Sequence, residues 1–177
     1  MRIKATQPDP LFALASAGPD LDALGLSVSP TATFCYRPVD ETTFDDAKTE
    51  ARKVADLFAA DHAMTLSESQ DSYGFSWLVA HGGELDDRLT TLYGFSHTLS
   101  ERGFDDAPLA LTVPLSDQHG RAGHLVFNFK RGKFYPFAPE AQGRDNAWEM
   151  HLLALLKPHL PMEPELERWY PLNDIPS

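Results

Sequence analysis

The chain has 177 residues and a formal net charge of −11 at pH 7, from 15 Lys and Arg against 26 Asp and Glu. This length suits one domain with a hydrophobic core, and 42% hydrophobic residues is a proportion typical of globular proteins. The negative charge repels nucleic acid and anionic lipid, so it disfavours both as partners and favours a protein with a basic surface.

The first half of the chain predicts a helix, a strand, a longer helix and then a strand region. Asp9 can cap a short helix that has Pro10 at its first position. Residues 31–39 alternate between two faces, as in a strand. Apolar residues between positions 43 and 60 fall on one helical stripe. Residues 64–83 indicate two strands or one long irregular strand, which Gly82 and Gly83 close.

The second half begins with another amphipathic helix and a hairpin. Leucines at spacings of three and four predict a helix over residues 85–99, with Gly103 as its C-terminal cap. Residues 109–115 and 124–129 alternate cleanly on either side of a polar turn. These two segments predict an antiparallel hairpin.

The last third of the chain is rich in proline. Residues 133–137 ("KFYPF") belong at a sheet edge or outside the sheet, because Pro136 has no amide to donate. Residues 146–157 are apolar nearly all round, which predicts a buried helix. The tail after Leu160 is expected to be extended and to wrap back on the domain.

Strands in adjacent pairs with short connections favour an α+β fold. We expect a mainly antiparallel sheet of about five strands with helices packed on one side. We expect a single domain over residues 1–177, with residues 1–8 and 172–177 as flexible or extended ends.

The single cysteine, Cys35, cannot form an internal disulfide and lies in a strand-like context. We interpret it as a small buried hydrophobic residue in a reducing compartment. Pro8, Asp9 and Pro10 interrupt any apolar run that could act as an export signal. No stretch approaches the roughly 20 apolar residues of a membrane helix. The sequence therefore predicts a cytoplasmic protein that does not insert into the membrane.

The sequence gives little sign of catalytic chemistry. The seven histidines show no metal-ligand spacing, so we predict no metal and no cofactor. Near the last helix, Asn146 and Glu149 have the spacing of an N-cap and its reciprocal partner. Arg144 and Asp145 are expected to pair at the surface, with anion binding by Arg144 as the alternative.

Two proline-punctuated segments, "KFYPFAP" and "RWYPLNDIP", carry aromatic residues that strand patterns leave unexplained. Aromatic side chains beside extended backbone are frequent at protein interfaces. The two segments either pack against each other or dock a partner. The predicted partner-binding residues are Phe134, Tyr135, Phe137, Arg144, Asp145, Trp169 and Tyr170.

The chain contains the motifs "LFALASA", "FCYRPVD", "DSYGFSWLV", "KRGKFYPFAP" followed by "RDNAWEM", and "PMEPELERWYP". Together these motifs resemble the PspAB proteins, small companions of phage shock protein A in bacterial membrane-stress operons. The resemblance extends from about residue 11 to residue 171. It implies a non-catalytic accessory protein of the envelope stress response, with phage shock protein A as the candidate partner.

Two other functions remain open at this point. One is a small-ligand binder or metal-dependent enzyme, with a pocket formed by His81, His124, Arg144 and Asp145 near the ends of neighbouring strands. The other is a chaperone-like homodimer that holds an unfolded segment, which rests on analogy with small α+β secretion chaperones.

Overall fold

A computed structural model describes residues 9–176 and shows an α+β fold built on one antiparallel sheet. The predicted end at residues 1–8 lies outside the described residues. Along the sheet the strands follow the order β3-β4-β2-β5-β6-β7, and β1 pairs with β5. The strands are β1 (Ser27–Val28), β2 (Thr31–Tyr36), β3 (Met64–Gln70), β4 (Ser76–Gly82), β5 (Pro108–Ser116), β6 (Ala122–Asn128) and β7 (Lys133–Phe137).

The expected count of about five strands was wrong, since the sheet has seven strands within residues 9–176. Strand β1 has two residues, too few to show any alternation. Strand β7 does belong to the sheet, because its whole length pairs with β6. Pro136 is tolerated there because β7 is the last strand in the order, as expected for an edge position.

In the described part of the chain, five α-helices accompany the sheet, and they pack mainly on one of its faces, as predicted. They are α1 (Ala13–Ser16), α2 (Gly18–Ala23), α3 (Thr42–Asp61), α4 (Leu85–Glu101) and α5 (Asn146–Leu156). Gly18-Pro19 begins α2, because proline fits the first helical turn. No helix in residues 9–176 combines the length and apolarity needed to cross a membrane.

The main core lies between the helices and one face of the sheet. Strand alternation directs Phe34 of β2 and Phe127 of β6 into it, together with Leu111 of β5. Small residues on α3, including Ala51 and Ala55, are buried in the same core. Fully buried aromatic and leucine side chains contribute most of the hydrophobic stabilisation, at about 1.5–3 kcal/mol each.

The opposite face of the sheet is also apolar and forms a second, smaller core. Its buried residues include Cys35, Trp77, Val126 and Tyr135. These residues contact Trp169, Leu172 and Ile175 near the C-terminus of the chain, and Leu153 of α5 also reaches them. The tail therefore does wrap back on the domain, and the segment from Leu172 lies against the sheet.

Arg88 joins three parts of the fold on the helix side. It lies on α4 and is 4% exposed, and its guanidinium donates to the carbonyl oxygens of Gly82 and Gly83 at 2.8 Å. A third hydrogen bond, of 3.1 Å, reaches the carbonyl of Ser29 before β2. One side chain thus fixes the end of β4 and the start of α4 against the β1–β2 turn.

We predict that Arg88→Met lowers the free energy of unfolding by about 2–4 kcal/mol, because three carbonyl groups lose the hydrogen bonds of a buried donor while the apolar stem is retained. Urea unfolding followed by circular dichroism measures the change. Arg102→Met is the matched control, since Arg102 ends the same helix with an exposed side chain. The control should lose less than about 1 kcal/mol. Equal losses in the two variants would contradict the proposed role of Arg88.

Candidate functional site

The C-terminal residues 164–176, here called the strap, cover the second face of the sheet. The strap contains one 3-10 turn, Leu166–Arg168, and otherwise has no regular secondary structure. Trp169 is 5% exposed and belongs to the second core, with Leu172 and Ile175 packed against it. The strap is therefore an integral layer of the fold.

The two aromatic segments that sequence analysis singled out contact each other here. The rings of Tyr135 and Trp169 are stacked with their centroids 6.5 Å apart. The Tyr135 hydroxyl donates to the carbonyl of Tyr170 at 2.7 Å. The indole of Trp169 donates to the carbonyl of Glu163 at 3.0 Å. Of the two alternatives, mutual packing is the one observed.

Four of the predicted partner-binding rings are consequently buried. Phe134, Tyr135, Phe137 and Trp169 are each at most 5% exposed, so in this conformation they cannot form a contact surface. These four rings pack within the fold, and their role as docking residues stays a prediction. Tyr170, half of whose surface is exposed, is the member of that aromatic set with an accessible ring.

The backbone edge of β7 is also partly covered. The amide of Phe134 donates to the carbonyl of Pro161 at 2.9 Å, and the amide of Glu163 donates to the carbonyl of Phe134 at 2.7 Å. Phe134 and Met162 form a parallel bridge. Addition of a partner strand at this point would first require displacement of residues 161–163.

Arg144 connects the sheet edge, the last helix and the strap. Its Nε donates to both carboxylate oxygens of the buried Glu149, at 2.9 and 2.7 Å, and its Nη1 donates to the carbonyl of Trp169 at 2.7 Å. The guanidinium also lies over the ring of Phe137, 4.9 Å from its centroid. The amide of Ala138 also donates to the Glu149 carboxylate, at 2.9 Å. Arg144 is thus a structural residue.

Asp145 is the N-cap of the last helix, a role that was predicted for Asn146. Its side chain accepts from the amide of Trp148 and caps α5, whereas Asn146 is the first residue of the helix. Glu149 does not complete a capping box with Asn146, because its carboxylate is bound to Arg144 and Ala138. The expected Arg144–Asp145 pair is therefore replaced by Arg144–Glu149.

Sequence analysis missed two buried carboxylates. Glu149 and Glu163 are 1% and 2% exposed. Glu163 accepts from Arg131 Nε at 2.8 Å, and Glu149 from Arg144. Arg131 lies 32 residues from Glu163, and Arg144 precedes α5 and lies five residues from Glu149, so no helical i,i+4 spacing signals either pair.

Three clefts flank the strap, and Leu172 lines all of them. Their volumes are about 630, 600 and 260 Å³. The largest is lined by His124 and Arg144, whose Nδ1 and Nη2 atoms are buried without a hydrogen-bond partner among the described residues. Burial lowers the pKa of His124, which favours the neutral imidazole.

The pocket predicted for a small-ligand binder or a metal-dependent enzyme is only partly assembled. His81 faces Thr31, with Nδ1 and Oγ1 2.8 Å apart, and the strands β2 and β5 separate it from His124 on β6. Three strand spacings therefore separate the strands of these two histidines by about 14 Å. Asp145 does not line the His124 cleft. Within residues 9–176 no group of three His, Cys, Asp or Glu side chains is arranged to hold a metal ion.

Cys35 lies under the strap and lines the smallest cleft. It is 2% exposed, which confirms its interpretation as a buried residue. Burial raises the pKa of its thiol to about 12, and the nearby Asp71 carboxylate adds to the shift. The thiol therefore stays protonated at neutral pH, a state in which it is a poor nucleophile.

Comparison with protein families identifies the chain. The model of the family PspAB, described as PspA associated protein B, matches residues 1–177. The chain belongs to the PspAB family. The match includes both ends, which the sequence motifs had not covered. Comparisons with curated proteins and with solved structures give no match.

The cysteine of this PspAB protein provides a test of the strap. Trp169→Ala removes the stacking on Tyr135 and the hydrogen bond to Glu163, so we expect Cys35 to react with a thiol reagent at least about tenfold faster in native buffer. Leu166→Ala is the control, because Leu166 is 53% exposed on the same segment. Urea unfolding measures the loss of global stability in each variant. If that loss fully accounted for the increase in the reaction rate of Cys35, the result would contradict local opening of the strap.

A double-mutant cycle tests the ion pair. Arg144→Met leaves the Glu149 carboxylate buried without its cation and should lower the free energy of unfolding by about 3–5 kcal/mol. Adding Glu149→Gln removes that charge and keeps an acceptor for the Ala138 amide, so it should recover at least about 1 kcal/mol. Simple additivity of the two substitutions would show that the residues are not coupled.

Proposed function

We propose that this PspAB protein is a non-catalytic accessory protein that binds PspA in the cytoplasm as part of the phage shock, or envelope stress, response. The observation that carries the proposal is the match of the whole chain to a family described as PspA associated. That description supports an accessory role linked to PspA.

The state of the chemically capable side chains supports a non-catalytic role. Arg144 is bound to Glu149 and to the strap, and Arg131 is bound to Glu163. The Cys35 thiol is protonated and buried. These groups stabilise the fold, whereas a catalytic group must be free to contact a substrate.

Charge supports a protein as the partner. A net charge of −11 attracts a basic protein surface, and mobile ions screen such an attraction over a Debye length of about 8 Å at 0.15 M salt. Association with PspA should therefore be salt-dependent if basic residues of PspA form the contact.

The direct test uses the two purified proteins. We expect the full PspAB chain to co-elute with PspA in size-exclusion chromatography at 50 mM salt, with an affinity that falls as salt is raised to 300 mM. An unrelated acidic protein of similar size and charge is the control for non-specific attraction. Absence of co-elution at 50 mM salt, or equal binding of the control, would overturn the proposal.

A further inference from the structure

The outer surface of α3 carries an apolar stripe that no other described element covers. Val54 and Leu57 are 53% and 73% exposed, and Phe58 is half-buried beside them. Their spacing of three and four residues places them on one side of the helix, next to α4. Leu57 has the largest exposed fraction of the large hydrophobic residues described.

A second, independent feature lies on α4. Gly94 is in the middle of this 17-residue helix, where glycine costs about 1 kcal/mol relative to alanine. A Cβ atom built at this position meets no atom within 4 Å, so no neighbour in the fold requires the glycine. The absent side chain leaves a notch in the helix surface, and such notches let the backbone of another chain approach closely.

The Gly94 notch and the apolar stripe lie at the same level along the axes of the two helices. Ion pairs join α3 to α4 at two levels, His62 to Asp87 near one end and Glu50 to Arg102 near the other. Gly94 is about halfway from Asp87 to Arg102, and Leu57 is about halfway from His62 to Glu50. The two helices therefore form one surface, with an apolar wall on α3 and a gap on α4.

Acidic side chains border this surface. Asp61 and Asp86 are exposed at one end, and Glu50 and Glu101 are exposed at the other. Two of the three basic residues of α3, Lys48 and Arg52, are instead drawn to Glu68 of β3, on a different side of the helix. The third, Lys53, is exposed, and Arg102 at the end of α4 pairs with Glu50. The four carboxylates outnumber these two cations. The charge around the stripe thus suits a partner with basic residues on either side of an apolar seam.

We propose that the α3–α4 surface is the docking site for an amphipathic α-helix with basic flanks. A helix fits because ridges on one helix pack into the groove between two others at an interaxial distance of 8–10 Å. Its apolar seam would lie on Val54, Leu57 and Phe58, with one ridge in the Gly94 notch. This inference rests on the proposed function, since it assigns the helix to PspA.

The test compares matched variants for binding to purified PspA. Leu57→Asp should weaken binding at least about tenfold, because it places a carboxylate in the apolar seam. Leu166→Asp adds the same charge at an exposed leucine of the strap and should leave the affinity within about twofold. Binding lost with Leu166→Asp but kept with Leu57→Asp would assign docking to the strap, and equal loss in both would show that the effect is not localised. Either result overturns the inference.

Gly94→Leu separates binding from folding. Leucine favours the helix over glycine, and its Cβ atom meets no neighbour within 4 Å, so the variant should unfold at a higher urea concentration. It should nevertheless bind PspA at least about tenfold more weakly, because the notch is filled. Unchanged affinity for PspA in this variant would contradict docking at the notch.

Two further outcomes are distinguishable. If the unmodified protein does not bind PspA, the proposed function fails and the inference fails with it. If the unmodified protein binds and both Leu57→Asp and Gly94→Leu bind equally well, the inference alone fails. Sedimentation of PspAB by itself completes the test, since a dimer that Leu57→Asp dissociates would identify a second copy as the occupant and overturn the assignment to PspA.

Discussion

The central sheet is apolar on both faces, and this constraint organises the rest of the molecule. Strand alternation places Phe34 on the helix side of β2 and Cys35 on the other, so neither face can be left in water without losing hydrophobic stabilisation. The helices cover mainly one face. The strap covers the other, and it has little regular structure of its own, so side-chain contacts must hold it in place. Trp169, Tyr135 and Arg144 provide them.

The same requirement explains why several ionisable side chains are buried in the interior. A carboxylate as buried as Glu149 or Glu163 is costly unless a cation and further hydrogen bonds compensate for its lost hydration. Arg144 and Arg131 supply the cations, and the amide of Ala138 supplies a further donor to Glu149. On the helix side of the sheet, the guanidinium of Arg88 donates hydrogen bonds to carbonyl oxygens instead of to a carboxylate. These groups define how the layers join.

The sequence predicted the elements with a strong period and missed what depends on distant contacts. Helices α3 and α4 and the β5–β6 hairpin show clear apolar periodicity, and they formed close to the expected bounds. The α+β class followed from their order. Periodicity tells which residues share a face, but it does not tell what covers that face. The burial of Tyr135 depends on Trp169, 34 residues further along the chain, so local pattern left packing and docking as equal alternatives. The Arg144–Glu149 pair is only five residues apart, but the N-cap spacing of Asn146 and Glu149 predicted a different partner for the same carboxylate.

A strap that is needed for packing and a helix pair that is not fully covered are different kinds of surface. Exposing the strap face would uncover Trp77 and Val126, so a partner that displaced the strap would have to replace its contacts before gaining any affinity. The stripe of α3 involves no such cost, because Leu57 is already in water. A glycine at position 94, which the fold itself does not require, lies beside that stripe. Residues that weaken a fold without serving its packing are expected where another molecule binds, so the helix layer is the more favourable place for a protein partner.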